Sequence, residues 1–502
     1  MRLDLADLEP GSVLDADLCV VGGGPAGLCL ARELIGSRLQ VVLLEGGGSE
    51  LEGETQKLYS GPAAGTILDE RPGYLAMSRY RLLGGSANYW QGFCRPQDPI
   101  DFEAREWVPD SGWPIRRDEL LPHYERAAAY CRVPGFDDTR DRGEMRAVLL
   151  GDDPDLETTF VHVSPERRFG VRFGDELAAA PNARLVTHAN VVRLVTGEAG
   201  RHVSAVEAAA LDGRRLTVRA RGVVLAAGGI ENARLLLASG GSDGRGLGND
   251  RDLVGRYFME HPFVSLGHVV VPYWRWLMRP YNNAGVHGRK QVVRCVLRPS
   301  AELQRRERLL NAMFVFDQVD PRDGPELASE VMAMATEALQ LAEGHPDPEE
   351  GFDYLGTLEL AVEPVPDPEN RVTLADERDP LGVSRAAVRW SLGEQATASV
   401  EAYAERLSRS LGAELRGRAR LVIGSGETWR NARPSNHHMG TTRMATAPDR
   451  GVVDTDCRVH GIDNLWIAGS SVFPVAGCSN PTLTLIALAV RLADRLTERM
   501  TR

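Results

Sequence analysis

Three stretches of this 502-residue chain hold residue types whose spacing can do chemistry. The first is Asp17-Leu-Cys-Val-Val-Gly-Gly-Gly-Pro-Ala-Gly-Leu28, with glycines spaced as Gly22-x-Gly24-x-x-Gly27. Gly22 permits a tight turn, Gly24 lets backbone approach a pyrophosphate, and Gly27 lets a helix pack close to a strand. The helix N-terminus that follows offers free N–H groups and a positive dipole end to phosphate. The apolar run Leu39 to Leu44 ends in Glu45, where a Rossmann unit puts the acid that binds a ribose hydroxyl. The chemistry is binding of a dinucleotide, and the motif alone does not choose which.

The second stretch is Arg81-Leu-Leu-Gly-Gly-Ser-Ala-Asn-Tyr-Trp-Gln-Gly92, whose adjoining glycines suit backbone running against a flat ligand. The third fills the last seventy residues. It holds Asn436-His-His-Met-Gly-Thr-Thr-Arg-Met444, the run Gly451 to Gly461, and the loop Pro474-Val-Ala-Gly-Cys-Ser-Asn-Pro-Thr482.

These stretches need elements to hold them. Strands are expected at 183–186, 191–195, 203–206, 217–220 and 223–227. The last leads into Gly228-Gly-Ile-Glu-Asn and a helix, which makes a second dinucleotide contact. Asn464 to Ser471 reads as a buried strand ending in Ala468-Gly469, followed by a loop and a helix from Thr484 to about Leu496. That is a third place to hold an anion or a polarised ring edge. Helices are also expected at 119–130, 325–341 and 394–411, the last stopped by Gly412. Between them lies Phe258-Met-Glu-His-Pro262.

Length allows two or three domains. The net charge of −12 disfavours nucleic acid and anionic membranes as partners, and no apolar run approaches the ~20 residues of a membrane helix. Seven dispersed cysteines without a CxxC, and an acidic N-terminus without an export signal, point to reduced thiols and a cytoplasmic protein. The charges are unevenly spread. The run Arg275 to Arg308 is basic, while Asp317 to Asn370 sums to about −14. Most such runs are solvated faces; a functional version would favour a cationic substrate or partner.

Taken together, Gly22 to Glu45, Gly84 to Gly92, Gly228 to Leu237 and His437 to Ala493 resemble the glucose–methanol–choline (GMC) flavoprotein oxidoreductases. The nearest branch is that of pyranose oxidase and the sugar and gluconate dehydrogenases. The middle of the chain is similar mainly through Asp367-Pro-Glu-Asn-Arg-Val-Thr-Leu374. The resemblance implies an α/β protein. Its Rossmann-like FAD-binding domain is assembled from residues 1–95, 180–265 and 430–502. A substrate domain from 96–179 and 266–429 carries a mixed or antiparallel sheet roofed by helices.

It also implies FAD contacts at Gly22, Gly24, Pro25, Ala26, Gly27, Glu45, Gly84, Gly85, Ser86, Asn88, Tyr89, Trp90, Val191, Ala227, Gly228, Gly469, Ser470, Asn480, Pro481 and Thr482, and no metal. The family's H-x-x-G-T pattern falls on His437 and its N-P-T pattern on Asn480, with His438 the competing histidine. Oxidising an alcohol by hydride transfer needs a base for the hydroxyl proton, which histidine supplies. Neutral asparagine can hold the same oxygen without competing for that proton. Relatives that bind FAD covalently use a histidine in the segment matching Gly84 to Trp90; Asn88 and Tyr89 stand here, so dissociable FAD is expected.

The implied function is oxidation of a hydroxyl on a sugar, glycoside or amino sugar, with O2, a quinone or a redox protein as electron acceptor. Two alternatives stand beside it. One is a dehydrogenase subunit that passes electrons to a protein partner through Tyr273-Trp-Arg-Trp276 and the arginine run. The other is a flavin-binding protein without catalysis. An NAD-dependent enzyme leaves the C-terminal set unexplained.

Overall fold

The computed structural model describes residues 1–136, 150, 153–166, 168–197, 200–240, 244–271, 281, 292–318, 354–413, 418–421, 428–429 and 432–501. The expected helix at 325–341, the Tyr273 to Trp276 cluster, most of the acidic run and part of the basic run lie outside them.

The strand Ser12–Val21 is followed by Gly22 and the helix Pro25–Glu33. It lies at the centre of a sheet ordered Arg2–Asp4, Ala183–Thr187, Val41–Leu44, Ser12–Val21, Arg215–Leu225, Val203–Ala209, Asn190–Thr196. The first five run parallel, and the last two form an antiparallel extension. The central strands Val41–Leu44 and the C-terminal half of Ser12–Val21 are buried on both faces, as a parallel sheet covered by helices requires.

Two expected strands, 217–220 and 223–227, are one continuous strand, Arg215–Leu225. Gly222 is no breaker here: a side chain at that position would crowd Leu18, Trp466 and Met500. Instead the strand changes partner. Its first half pairs with Val203–Ala209, and residues Val223 to Leu225 pair with Leu465–Ile467. The C-terminal segment thereby reaches the sheet that begins at residue 2.

A second sheet is antiparallel throughout. Its order is Arg418–Leu421, Pro262–Val271, Tyr354–Val362, Ala312–Gln318, Val292–Pro299, Leu156–Val163, Phe93–Cys94, with Ala432–Pro434 beside the start of Pro262–Val271. The helix Glu394–Ala413 packs against it through buried Val400, Tyr403, Leu407 and Leu411. It continues through Gly412, because burial of its apolar face outweighs the helix-breaking tendency of one terminal glycine.

Helix Phe169–Ala179 follows a strand of the second sheet yet packs against Pro25–Glu33. Gly170 and Gly174 let it press onto the loop at Leu83 and Gly84, where any Cβ would collide. The C-terminal helix Pro481–Met500 packs against both Pro25–Glu33 and Arg117–Cys131 and starts three residues before the expected position. Pro481 at its first turn needs no hydrogen-bond acceptor there. All seven cysteines are buried and none forms a disulfide. No helix among the described residues is long and apolar enough to cross a membrane.

Candidate active site

A cleft of about 440 Å³ runs from the Gly22 turn to the loop before the C-terminal helix. Three helix N-termini open near it: those of Pro25–Glu33, Glu231–Ala238 and Pro481–Met500. None of the three has a side-chain cap, so first-turn N–H groups stay free for an anion. A Cβ added at Gly24, Gly228 or Gly469 would meet nothing within 4 Å, which leaves room for a ligand against the backbone. The three N-termini, the bare glycines and the guanidinium groups described below fit the dinucleotide FAD.

Of the expected contacts, Gly22, Gly24, Pro25, Ala26, Glu45, Gly85, Ser86, Tyr89, Trp90, Val191, Ala227, Gly228, Gly469, Ser470, Asn480, Pro481 and Thr482 line this cleft. Gly27, Gly84 and Asn88 do not. A Cβ at Gly27 would lie 2.0 Å from the Gly22 carbonyl, so this glycine serves helix–strand packing. Gly84 adopts φ +96° against Gly170. Asn88 spends its amide on the Leu83 and Gly85 carbonyls at 3.0 Å each and shapes its own loop.

Glu45 is buried and accepts 2.8 Å bonds from the Gly23 and Gly47 N–H groups. Burial pushes its carboxyl above the usual range, and those N–H groups work against that rise. Each oxygen keeps a lone pair for a ribose hydroxyl. Trp90 donates its indole N–H to the Glu166 carbonyl at 2.9 Å. Tyr89 is 54% exposed and stacks on Tyr80, with ring centroids 4.1 Å apart.

A charge cluster in the cleft wall escaped sequence reasoning. Arg79, Arg81 and Arg234 converge on Glu231 at 2.9, 3.0 and 3.0 Å. Burial alone would raise the Glu231 carboxyl, yet the three guanidinium groups hold it at about 2. Arg79 and Arg81 also lie over the Tyr59 ring, at 4.0 and 4.3 Å. Arg79, Arg81 and Glu231 line the cleft, and the surplus of positive charge suits an anionic ligand.

At the other end stand the two histidines. Nε2 of His437 lies 3.2 Å from Nδ2 of Asn480. Asn480 occupies the N-cap position of the C-terminal helix but does not cap it, so its amide is free to face His437. The backbone N–H of His437 donates to Oε1 of Glu260 at 2.8 Å. Nδ1 of His437 lies 2.9 Å from Nδ1 of His261, and Nε2 of His261 lies 2.8 Å from the Gly477 carbonyl. His438 also lines the cleft, with Nε2 2.9 Å from the Tyr74 hydroxyl, which donates to Glu260 at 2.8 Å.

Burial, reinforced by the neighbouring His261 and His438, holds His437 well below the usual histidine range. Burial likewise lowers His261 to about 4 and His438 to about 3, and raises Glu260 to about 7. The three imidazoles are therefore neutral near pH 7 and can each accept one proton. Tyr74, Glu260 and His261 were missed because each gains its role from a partner far away in sequence.

Residues 366–489 match the GMC oxidoreductase C-terminal family model, and residues 17–244 match that of the FAD dependent oxidoreductases. The chain is 26% identical to 6'''-hydroxyparomomycin C oxidase of Streptomyces lividus, over 98% of this chain and 93% of that one. It is 27% identical to C-glycoside 3-oxidase of Microbacterium trichothecenolyticum, over 97% of each. Among solved structures, formate oxidase of Aspergillus oryzae shares the fold with a TM-score of 0.62 at 19% identity, over 98% of this chain and 99% of that one.

Proposed function

We propose, for a chain that carries a GMC oxidoreductase domain and an FAD-dependent oxidoreductase domain, that His437 is the base and Asn480 the orienting partner in oxidation of a sugar or glycoside hydroxyl. The protein is an FAD-dependent alcohol oxidoreductase. The observation that carries the site assignment is the 3.2 Å approach of Asn480 Nδ2 to His437 Nε2 on the cleft wall.

Bound FAD supplies the acceptor for a hydride. A substrate hydroxyl placed between the two side chains gives its proton to His437 Nε2, while Asn480 holds the oxygen by an N–H bond. Trp90, Phe93 and Phe263 line the same cleft and provide apolar surface for a sugar ring.

Amino sugars enter the reading through two relatives, 6'''-hydroxyparomomycin C oxidase and paromamine 6'-oxidase of Streptomyces fradiae. Among the described residues, the two carboxylates lining the cleft, Glu45 and Glu231, are already engaged. Selectivity for a cation therefore rests on residues beyond them. Dissociable FAD, O2, a quinone or a redox protein as electron acceptor, and a cytoplasmic location complete the proposal.

The test is anaerobic bleaching of the flavin spectrum by a panel of neutral sugars, glycosides, amino sugars and simple alcohols, with His437→Ala beside it. Bleaching by one class, lost in the variant, is the expected result. A holoenzyme that no member bleaches overturns the reading.

A further inference from the structure

We propose that His261 is a positioning residue that fixes which nitrogen of His437 is bare, by relaying the fixed polarity of the Gly477 carbonyl through its own ring. This inference rests on His437 acting as the base, and it is tested by an observable that does not depend on turnover.

The argument follows from what each atom can do. A carbonyl oxygen only accepts, so the His261 nitrogen 2.8 Å from the Gly477 carbonyl, Nε2, carries a hydrogen. His261 is 1% exposed and neutral, and a neutral imidazole has one N–H. Its Nδ1 is therefore bare and can only accept. The atom 2.9 Å from it, Nδ1 of His437, must then be the donor; two bare nitrogens at that distance would repel. The proton of neutral His437 sits on Nδ1, which leaves Nε2 bare. Nε2 is the nitrogen that Asn480 approaches.

The opposite tautomer of His437 would set its Nε2–H against the Asn480 amide donor. It would also leave two lone pairs facing each other between the rings. The rings meet at 89° with centroids 5.2 Å apart, which excludes stacking and leaves the nitrogen–nitrogen bond as their contact.

The rest of the surroundings keeps this relay in place. Glu260, the residue before His261, accepts the His437 backbone N–H, so one strand start grips His437 by backbone and ring together. Gly477 in turn gives its own N–H to Glu363 at 3.3 Å, and Glu363 is locked to Arg105 by bonds of 2.6 and 2.7 Å. A side chain at Gly477 would strike Gln97 and Asp101. The backbone entering Gly477 is thus tied to a buried ion pair. In the proposed reaction His437 Nε2 would take the hydroxyl proton, and bound FAD would supply the acceptor for the hydride from the carbon bearing that hydroxyl. The imidazolium so formed keeps its Nδ1–H bond to His261, which steadies the new charge.

The experiment is nitrogen NMR of the holoenzyme labelled with 15N in histidine, on wild type, His261→Leu and His261→Gln, together with kcat and KM on whatever substrate the panel yields. His437→Ala assigns the His437 signals. In the wild type we expect the His437 Nδ1 signal in the N–H region and Nε2 in the bare-nitrogen region. His261→Leu is expected to mix or reverse that pattern and to lower kcat about 10²-fold with KM changed little. His261→Gln, whose amide offers both an acceptor and a donor, is expected to restore the wild-type pattern and much of kcat.

A wild-type His437 protonated on Nε2 overturns the proposal, even if neither variant folds. So does a His437 pattern indifferent to His261→Leu. If the wild-type pattern is as expected and no alcohol bleaches the flavin, the relay stands and the proposed reaction is what fails.

Discussion

The Tyr74 hydroxyl lies 2.9 Å from Nε2 of His438, and it separates the duties of two histidines adjacent in sequence. His438 is 8% exposed and its ring is taken up by Tyr74 and Phe258. His437 keeps Nε2 toward Asn480 and the cleft. His437→Ala should therefore slow flavin reduction by about 10²- to 10⁴-fold while leaving the flavin bound. His438→Phe should act mainly on stability, costing about 1–3 kcal/mol for the buried polar groups left unpaired. Stopped-flow reduction and urea unfolding of both variants check the division. Equal losses of rate would contradict it.

Gly24 and Gly27 lie in one motif and do different work. The Gly24 position opens on space, whereas a Cβ at Gly27 would collide with the Gly22 carbonyl. Gly24→Ala should fold with a melting temperature near that of the wild-type apoprotein and bind FAD weakly. Gly27→Ala should lose several kcal/mol through backbone displacement before any question of binding arises. Flavin content and thermal unfolding, measured side by side, distinguish the two.

What was readable in advance follows the same division between local and distant causes. The glycine turn, the acid at Glu45 and the register of His437 and Asn480 are set within short runs, and each lies where those runs place it. Asn88 read as a ligand contact because its neighbours do line the cleft; only the fold reveals that its amide closes its own loop. His261 was visible as part of a motif without a role. Its two partners stand 176 and 216 residues further on, and no local pattern connects them. The merged strand Arg215–Leu225 has the same origin. The partner that carries its second half, Leu465–Ile467, comes from the last forty residues.

The loop from Gly85 to Trp90 lines the cleft without a histidine. Tyr89 is stacked on Tyr80, the Trp90 indole N–H is bonded to Glu166, and Asn88 is turned into the loop. The loop offers no imidazole for attachment. Acid precipitation of the holoenzyme should release the yellow colour to the supernatant and leave a white pellet. A yellow pellet would show a covalent bond and would redirect attention to another nucleophile along the cleft.

The buried histidines make a signed prediction for acid stability. Burial lowers His261 to about 4, while in the unfolded chain it titrates near 6.5. Between those values the unfolded chain binds a proton that the folded chain does not, so His261 takes stability away as pH falls. The loss runs at about 1.4 kcal/mol per pH unit and reaches about 3 kcal/mol by pH 4. His437, Glu260, Glu363 and Arg105 surround it and are present in both wild type and His261→Leu. Glu260, raised to about 7 by burial, has the opposite sign, since it gives stability at low pH that is lost as pH rises to 7. Wild-type stability alone therefore mixes opposing slopes, and the difference between wild type and His261→Leu isolates one of them. Urea unfolding at pH 7, 6 and 5 should show any advantage of the wild type shrinking toward the acid end. A gap that stays constant would mean that folded His261 takes up a proton as readily as it does in the unfolded chain, contrary to its lowering by burial.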